Sequence, residues 1–317
     1  MTEASNPLAA PDAILPNFLV VGAMRAGTTT LYQALRSHPL VHMAAVKETN
    51  FFVFDRGMLD LPLDEEGAKI LKSNSVISPT EYVDLFKNAK QAKAIGEVSP
   101  SYLYSQGAAA RIQKWLPHSR IIILLRDPVE RAYSAYLRRA GVASDPDSFL
   151  RVAEAEHREF QQGRPLPNYP LIAGSDYSQL LVPYMQRFPH SQIWIRIFED
   201  FWMNPEDSLH ELQEFLGLEQ HVNGLAHLNR SGVPRYQVVD AALRRGTSIK
   251  GFVKTRFPPG AVRAMVNLKQ KIEDWSLKDP ERLPGHIRYR LLDHYFEKSI
   301  RETERLIGRN LDGWRRI

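Results

Sequence analysis

Short apolar runs alternate along this chain with stretches of helical spacing, and the alternation predicts most of its elements. FLVV (18–21) reads as a strand. Gly22 ends it, Gly27 follows, and Thr28, Thr29, Thr30 and Leu31 open a helical pattern that runs on to Ser37. His38-Pro39 stops that helix, because proline disfavours helical backbone in the residue before it. HMAAV (42–46), AIGEVSP (94–100), RIIILLRDP (120–128) and SQIWIRIFED (191–200) read as further strands. The unbroken IIILL is what a parallel strand buried on both faces requires. A helix is predicted over 205–216 with Gly217 at its end, and a long one over 285–307 with Ile287, Leu291, Tyr295, Ile300 and Leu306 on one stripe and Gly308 as its stop. Three regions, 55–93, 141–175 and 218–284, read as irregular. Strands alternating with helices imply an α/β fold, a mostly parallel central sheet with helical crossovers.

Composition narrows this picture. The 317 residues, 44% of them hydrophobic, suffice for one large packed domain. The 21 prolines are scattered, and neither a repeat nor a low-complexity linker divides the chain. The expected organisation is a loose tail over 1–16 and a single domain over 17–317. With no cysteine, thiolate metal sites and disulfides are excluded, which fits a reducing, cytoplasmic setting. No apolar stretch approaches the roughly 20 residues of a membrane span. A formal net charge of +5 fits anionic ligands but is small for a nucleic-acid binder, so no nucleic-acid partner is expected.

The strand-to-helix junction carries the strongest chemistry. Glycines at both ends of GAMRAG allow a tight turn, so that loop N–H groups and the following helix N-terminus point at an anion, with threonine hydroxyls as further donors. The nucleotide triphosphatase pattern GxxxxGK[ST] is broken at one place: Thr28 stands where its lysine would be, and the cation has moved into the loop as Arg25. At the end of IIILL, Arg126 is delivered to the sheet edge, and Asp127, Pro128 and Glu130 form a helix start with cap, first-turn proline and capping-box acid. Ser134 follows two turns along. Arg126 and Ser134 could share one phosphate, or Arg126 could pair with a neighbouring carboxylate while Ser134 packs.

Taken together, GAMRAGTTTL, KETNFF (47–52), GEVSPSYLY (96–104) and RDPVERAYSAYLRR (126–139) resemble, in order and spacing, the sulfotransferase superfamily that uses 3′-phosphoadenosine 5′-phosphosulfate. Later stretches, SDYSQLLVPYMQRFP (175–189), IFEDFWMNPEDSLHELQEFLGL (197–218) and LIGRNLDGW (306–314), are similar to its bacterial and carbohydrate-type branch. The resemblance implies a P-loop-type three-layer α/β fold. It also implies a donor site in which Arg25, Ala26, Gly27, Thr28, Thr29 and Thr30 hold the 5′-phosphosulfate and Arg126 with Ser134 holds the 3′-phosphate. The product would be adenosine 3′,5′-bisphosphate, and no metal is required. Family members commonly carry lysine where Arg25 stands. The resemblance makes Glu48 the general base for an acceptor hydroxyl or amine; the plain alternative is an exposed Lys47-Glu48 pair, and Lys47 could instead steady the sulfonate oxygens. Phe51 and Phe52 read as core or cleft wall. Glu97 could orient the acceptor or be a buried structural acid. Heparan-type relatives often carry lysine where Val98 stands and histidine where Asn50 stands, which argues against a heparan-like acceptor. Arg235, in LNRSGVPRY (228–236), could reach a donor phosphate or lie in an ordinary surface loop.

The acceptor class, whether small molecule, glycan or lipid, and the oligomeric state are not encoded in any motif here. The rival functions are a P-loop ATP-dependent kinase or phosphotransferase, disfavoured by Thr28 at the lysine position and by the lack of a metal-binding acid after a strand, and a non-catalytic polyanion-binding module.

Overall fold

The computed structural model describes residues 7–140, 145–221, 233–234, 277–278 and 282–317. Its centre is a five-stranded parallel sheet. In chain order the strands are β1 (Phe18–Gly22), β2 (Val41–Met43), then β5 (Ala94–Val98), β6 (Arg120–Leu125) and β7 (Ile193–Ile197), with β3 (Phe54–Asp55) and β4 (Met58–Leu59) forming a small separate hairpin. The spatial order is β2-β5-β1-β6-β7, so β1 lies in the middle. Phe18 faces Gly96 on one side and Arg120 on the other. Gly96 is dictated by that approach, since a Cβ there would come 2.2 Å from the Phe18 ring. Every residue of β1 is buried, and β6 is buried from Ile121 onward, which is why both read as continuous apolar runs. The β1–β6 register shifts between Val20 and Gly22, a bulge that turns the chain out of the sheet at its C-terminal edge.

The helices that flank the sheet are α1 (Thr28–Arg36), α2 (Glu65–Ser73), α3 (Pro79–Asp84), α4 (Ala108–Trp115), α5 (Pro128–Ala140), α6 (Pro146–Gln161), α7 (Tyr177–Met185), α8 (Phe198–Met203), α9 (Pro205–Phe215), α10 (Gly285–Leu291) and α11 (Glu297–Ile307). Gly217 and Gly308 take left-handed conformations after α9 and α11, as the helix stops require. Two regions expected to be irregular contain helices. α2 lies in 55–93 and is capped by Asp64, which accepts from Gly67 N at 2.7 Å; α3 starts on Ser78-Pro79. α6 fills much of 141–175 and starts on Asp145-Pro146, with Asp145 accepting from Ser148 N. Each has a polar cap, and in two of them proline follows in the first turn.

The last long helix is interrupted by a π turn over Leu292–Phe296. The wide turn accommodates one more residue, so Phe296 rather than Tyr295 joins Ile287, Leu291 and Ile300 on the buried stripe. A single cluster of buried side chains runs from Leu8 to Trp314. Of the segment expected to be a loose tail, Leu8 is buried and Ile14 and Leu15 lie against that core.

Candidate active site

Three chain segments, after β1, β6 and β2, leave the C-terminal edge of the sheet, where ligands of open α/β sheets bind; β1 and β6 are neighbours, and β5 lies between β1 and β2. The first is the loop after β1. Ala23 N donates to Leu124 O at 2.7 Å and Met24 N to the Tyr104 hydroxyl at 3.1 Å, which fixes the loop's start. Arg25 has φ of 70° and Gly27 of 81°. Left-handed backbone is costly for arginine, and its occurrence in a ligand loop is the strain expected where geometry serves binding. At Gly27 the space is closed as well, because a Cβ would lie 2.8 Å from the Phe198 ring and 3.0 Å from Trp202 Nε1. Gly27 caps α1 without a side-chain bond. Among the described residues, the N–H groups of Arg25, Gly27, Thr28 and Thr29 make no hydrogen bond, so they remain as donors at a helix N-terminus. Ala26, Thr28 and Thr30 are buried and Thr29 is exposed.

The second segment follows β6. Tyr177 clamps the Arg126 backbone, its hydroxyl donating to Arg126 O at 2.8 Å and accepting from Arg126 N at 3.3 Å. The Arg126 guanidinium rests 4.9 Å over the Phe198 ring, donates to Arg25 O at 3.2 Å and lies 3.9 Å from Glu130. Both sequence alternatives for Arg126 are thus partly realised: it has a carboxylate neighbour, yet it also reaches the first loop. Ser134 does not merely pack, since its hydroxyl accepts from Arg25 Nε at 3.1 Å. Arg25, Arg126 and Ser134 therefore form one polar group. Burial first, and then the charges of Arg138, Arg126 and Arg131, lower Arg25 to about 10, so it remains a cation at neutral pH. Among the described residues no carboxylate pairs with Arg25, and an anion would relieve its repulsion by neighbouring cations.

Asp127 is the cap expected for α5, accepting from Val129 N at 2.9 Å and Glu130 N at 3.1 Å. The reciprocal half of the capping box is replaced. Asp127 N donates to Glu199 at 3.0 Å, while Glu130 turns to Arg126 and to Arg288, 3.6 Å away. Arg288 of α10 also binds Asp127 through both terminal nitrogens, and Trp314 Nε1 donates to Glu199 at 3.3 Å.

The third segment follows β2. Glu48 N donates to Val98 O at 2.8 Å, tying the KETN turn to the end of β5. Glu48 and Asn50 are both left-handed, with φ of 64° and 52°. The Glu48 carboxylate accepts from Lys47, and its side chain is 44% exposed. The ion pair and an open carboxylate are therefore both present. Phe52 is core, and Phe51 stacks on Tyr82 at 4.2 Å.

Glu97 proves to be the buried acid. It is fully enclosed and accepts from four hydroxyls: Tyr82 at 2.7 Å, Tyr102 at 2.9 Å, Ser99 at 3.0 Å, and Thr49. Burial raises it above the ordinary carboxylate range, with the hydroxyl donors pulling the other way. It touches no solvent; instead it anchors Thr49, beside Glu48, and through Ser99 Oγ it supports Asn50 N at 3.1 Å. Arg235 lies outside the described residues. Among those residues no cluster of histidine and acid side chains could hold a metal ion. Sequence reasoning missed Phe198, Trp202, Tyr104, Tyr177 and Arg138. The strand read over 191–200 ends at Ile197, and α8 starts at Phe198; the aromatics of FEDFW, partly absorbed into that strand reading, were the signal that pointed to Phe198 and Trp202.

The model of the sulfotransferase family matches residues 16–222, more than half of the chain. The chain belongs to the sulfotransferase family. All three segments of the sheet edge fall within that match. This sulfotransferase-family chain is 29% identical over 225 residues to a bifunctional heparan sulfate N-deacetylase/N-sulfotransferase of Drosophila melanogaster, covering 68% of this chain and 21% of that protein. It is 28% identical over 206 residues to heparan sulfate glucosamine 3-O-sulfotransferase 3A1 of Mus musculus, covering 65% of this chain and 47% of the relative. The chain thus spans less than half the length of these curated relatives. A sulfotransferase structure from Alicyclobacillus acidocaldarius shares the fold, with a TM-score of 0.70 at 23% identity over 96% of this chain and 100% of that one.

Proposed function

We propose that this protein is a sulfotransferase that uses 3′-phosphoadenosine 5′-phosphosulfate and passes the sulfuryl group to a hydroxyl or amine, with Glu48 as general base. The observation that carries the reading is the joined group Arg25, Arg126 and Ser134, which among the described residues has no carboxylate opposing Arg25 and lies next to loop N–H groups with no partner among those residues. That donor set fits a ligand with two separated phosphates. The loop N–H groups and the α1 N-terminus take the 5′ end, and the Arg126 fork with the Ser134 hydroxyl takes the 3′-phosphate. Thr28 in place of a lysine leaves a loop suited to a shorter anion than ATP presents.

When bound, the donor supplies an activated sulfuryl group whose S–O bond to the 5′-phosphate breaks as the acceptor oxygen or nitrogen bonds to sulfur, the electron pair leaving with the bisphosphate. Arg25 holds positive charge where the leaving oxygen gains negative charge. Glu48 accepts the acceptor's proton at its carboxylate, and Lys47 holds that carboxylate and adds charge beside the sulfonate oxygens. The left-handed turn at Glu48 and Asn50, braced from below by Glu97, fixes the base rigidly on the sheet edge.

The test is a calorimetric comparison of adenosine 3′,5′-bisphosphate with ATP, followed by mass spectrometry of host extract incubated with enzyme and donor. Tight bisphosphate binding, weak ATP binding and a product heavier by one sulfonate are expected. Tighter ATP binding, or bisphosphate binding without any transfer, would overturn it.

A further inference from the structure

A cavity of about 320 Å³ adjoins the phosphate loop. That is within the size range of small-molecule sites. Met24 of the loop and Tyr104, whose hydroxyl holds Met24 N, both line it, so the cavity abuts the start of the loop proposed to hold the donor. Its body is apolar: Leu61, Leu63 and Leu103 on one flank, Phe160 of α6, Leu166, and Leu180 of α7. No lysine, arginine or histidine lines it among the described residues. The one charged side chain among the described residues of the wall, Asp176, is already engaged by the Ser178 hydroxyl at 2.7 Å and the Ser299 hydroxyl at 2.6 Å.

This lining decides between acceptor classes. A uronic-acid or sulfated glycan carries at least one negative charge per disaccharide, and each would enter an apolar space whose one charge among the described residues is also negative. Desolvating an unpaired anion is prohibitive, whereas an alkyl or aryl body gains by leaving water. We propose that the cavity takes the body of an uncharged acceptor, an alcohol or phenol with an alkyl or aryl group, and so selects against polyanionic glycans. The inference rests on the proposed sulfuryl transfer for the word acceptor, but the binding preference stands on the cavity itself.

The probes are 4-octylphenol and an N-acetylheparosan oligosaccharide, titrated calorimetrically into the full chain with and without adenosine 3′,5′-bisphosphate. Octylphenol should bind with one-to-one stoichiometry, and the oligosaccharide should neither bind nor compete. Leu180→Trp fills the cavity, and Phe160→Lys sets a charge at a side chain that is 37% exposed and so tolerates change. Each should weaken octylphenol by about tenfold or more and leave bisphosphate affinity as in the wild type. Octylphenol should also be converted to its sulfate ester in the presence of the donor. Oligosaccharide binding displaced by octylphenol, no octylphenol binding at all, or wild-type octylphenol affinity in both variants would overturn the proposal. If the bisphosphate itself fails to bind, the donor reading fails, and octylphenol titration of the free protein still decides the cavity's preference.

Discussion

Replacing Glu97 by glutamine gives the sharpest test of the architecture under the candidate base. In the wild type, one carboxylate oxygen accepts from the Tyr82 and Tyr102 hydroxyls and the other from Ser99 and Thr49. Glutamine keeps the first oxygen and turns the second into a donor. Thr49 can reverse, because its hydroxyl lies 3.1 Å from the Tyr102 hydroxyl and 3.3 Å from Ser99. Ser99 adapts less well, since its oxygen already accepts from Asn50 N. One or two hydrogen bonds are thus lost in a fully buried place, and at about 1 to 1.5 kcal/mol each the variant should be less stable by about 1 to 3 kcal/mol. The pH dependence gives a second reading of the same group. Burial raises Glu97 in the folded state, so the folded protein holds this proton more tightly than the unfolded chain. Its contribution is present in full below the ordinary carboxylate range and is lost as pH rises through the raised value. The glutamine variant lacks this loss. The stability gap between wild type and variant, from urea denaturation at a series of pH values, should therefore narrow as pH rises, by no more than about 1.4 kcal/mol per pH unit. A gap that widens with pH would mean that the four hydroxyls outweigh burial, and a gap of zero throughout would refute the bracing role.

Three further outcomes are expected. Arg126→Ala should weaken adenosine 3′,5′-bisphosphate by about 2 to 4 kcal/mol and the 5′-monophosphate far less, measured by calorimetry; equal losses would refute the 3′-phosphate assignment. Glu48→Gln should lower turnover by about 10²- to 10⁴-fold with donor affinity nearly unchanged, and near-wild-type turnover in a folded variant would remove Glu48 as the base. Gly27→Ala combines a left-handed backbone with contact against Phe198 and Trp202, so bisphosphate binding should fall together with a stability loss of about 1 kcal/mol or more; a melting temperature and affinity like the wild type would refute the closed geometry of the loop.

How much of this could be read from the sequence differs by the range of the interactions involved. β1 and β6 were legible because burial on both faces leaves no polar position in FLVV or in IIILL. The strand-to-helix turn after β1 was legible because Gly22, Gly27 and the three threonines fall within nine consecutive residues. Glu97 stayed ambiguous because two of its four hydroxyl partners, Thr49 and Tyr82, lie on other segments, while only Ser99 and Tyr102 belong to its own GEVSPSYLY run. The capping box at α5 misled in one half because Arg288, far along the chain, competes for Glu130. The Tyr295-for-Phe296 error came from assuming an unbroken 3.6-residue period through the π turn. α2, α3 and α6 carried ordinary cap signals at Asp64, Ser78 and Asp145, masked by the polar residues around them.

The reach of Arg288 and Trp314 bears on what could be excised from this chain. The similarity that defines the family ends at residue 222, so a fragment cut there would seem a natural unit to express. Such a fragment would lose the guanidinium that pairs with Asp127 and the indole that donates to Glu199, two carboxylates that hold the turn at Arg126. It would also strip Ile287, Leu291, Phe296 and Trp314 from the one core cluster and open the space they fill to water. The segment recognisable by descent and the segment that fills this core are different lengths of the same polypeptide, and the difference falls directly behind the arginine proposed to hold the 3′-phosphate.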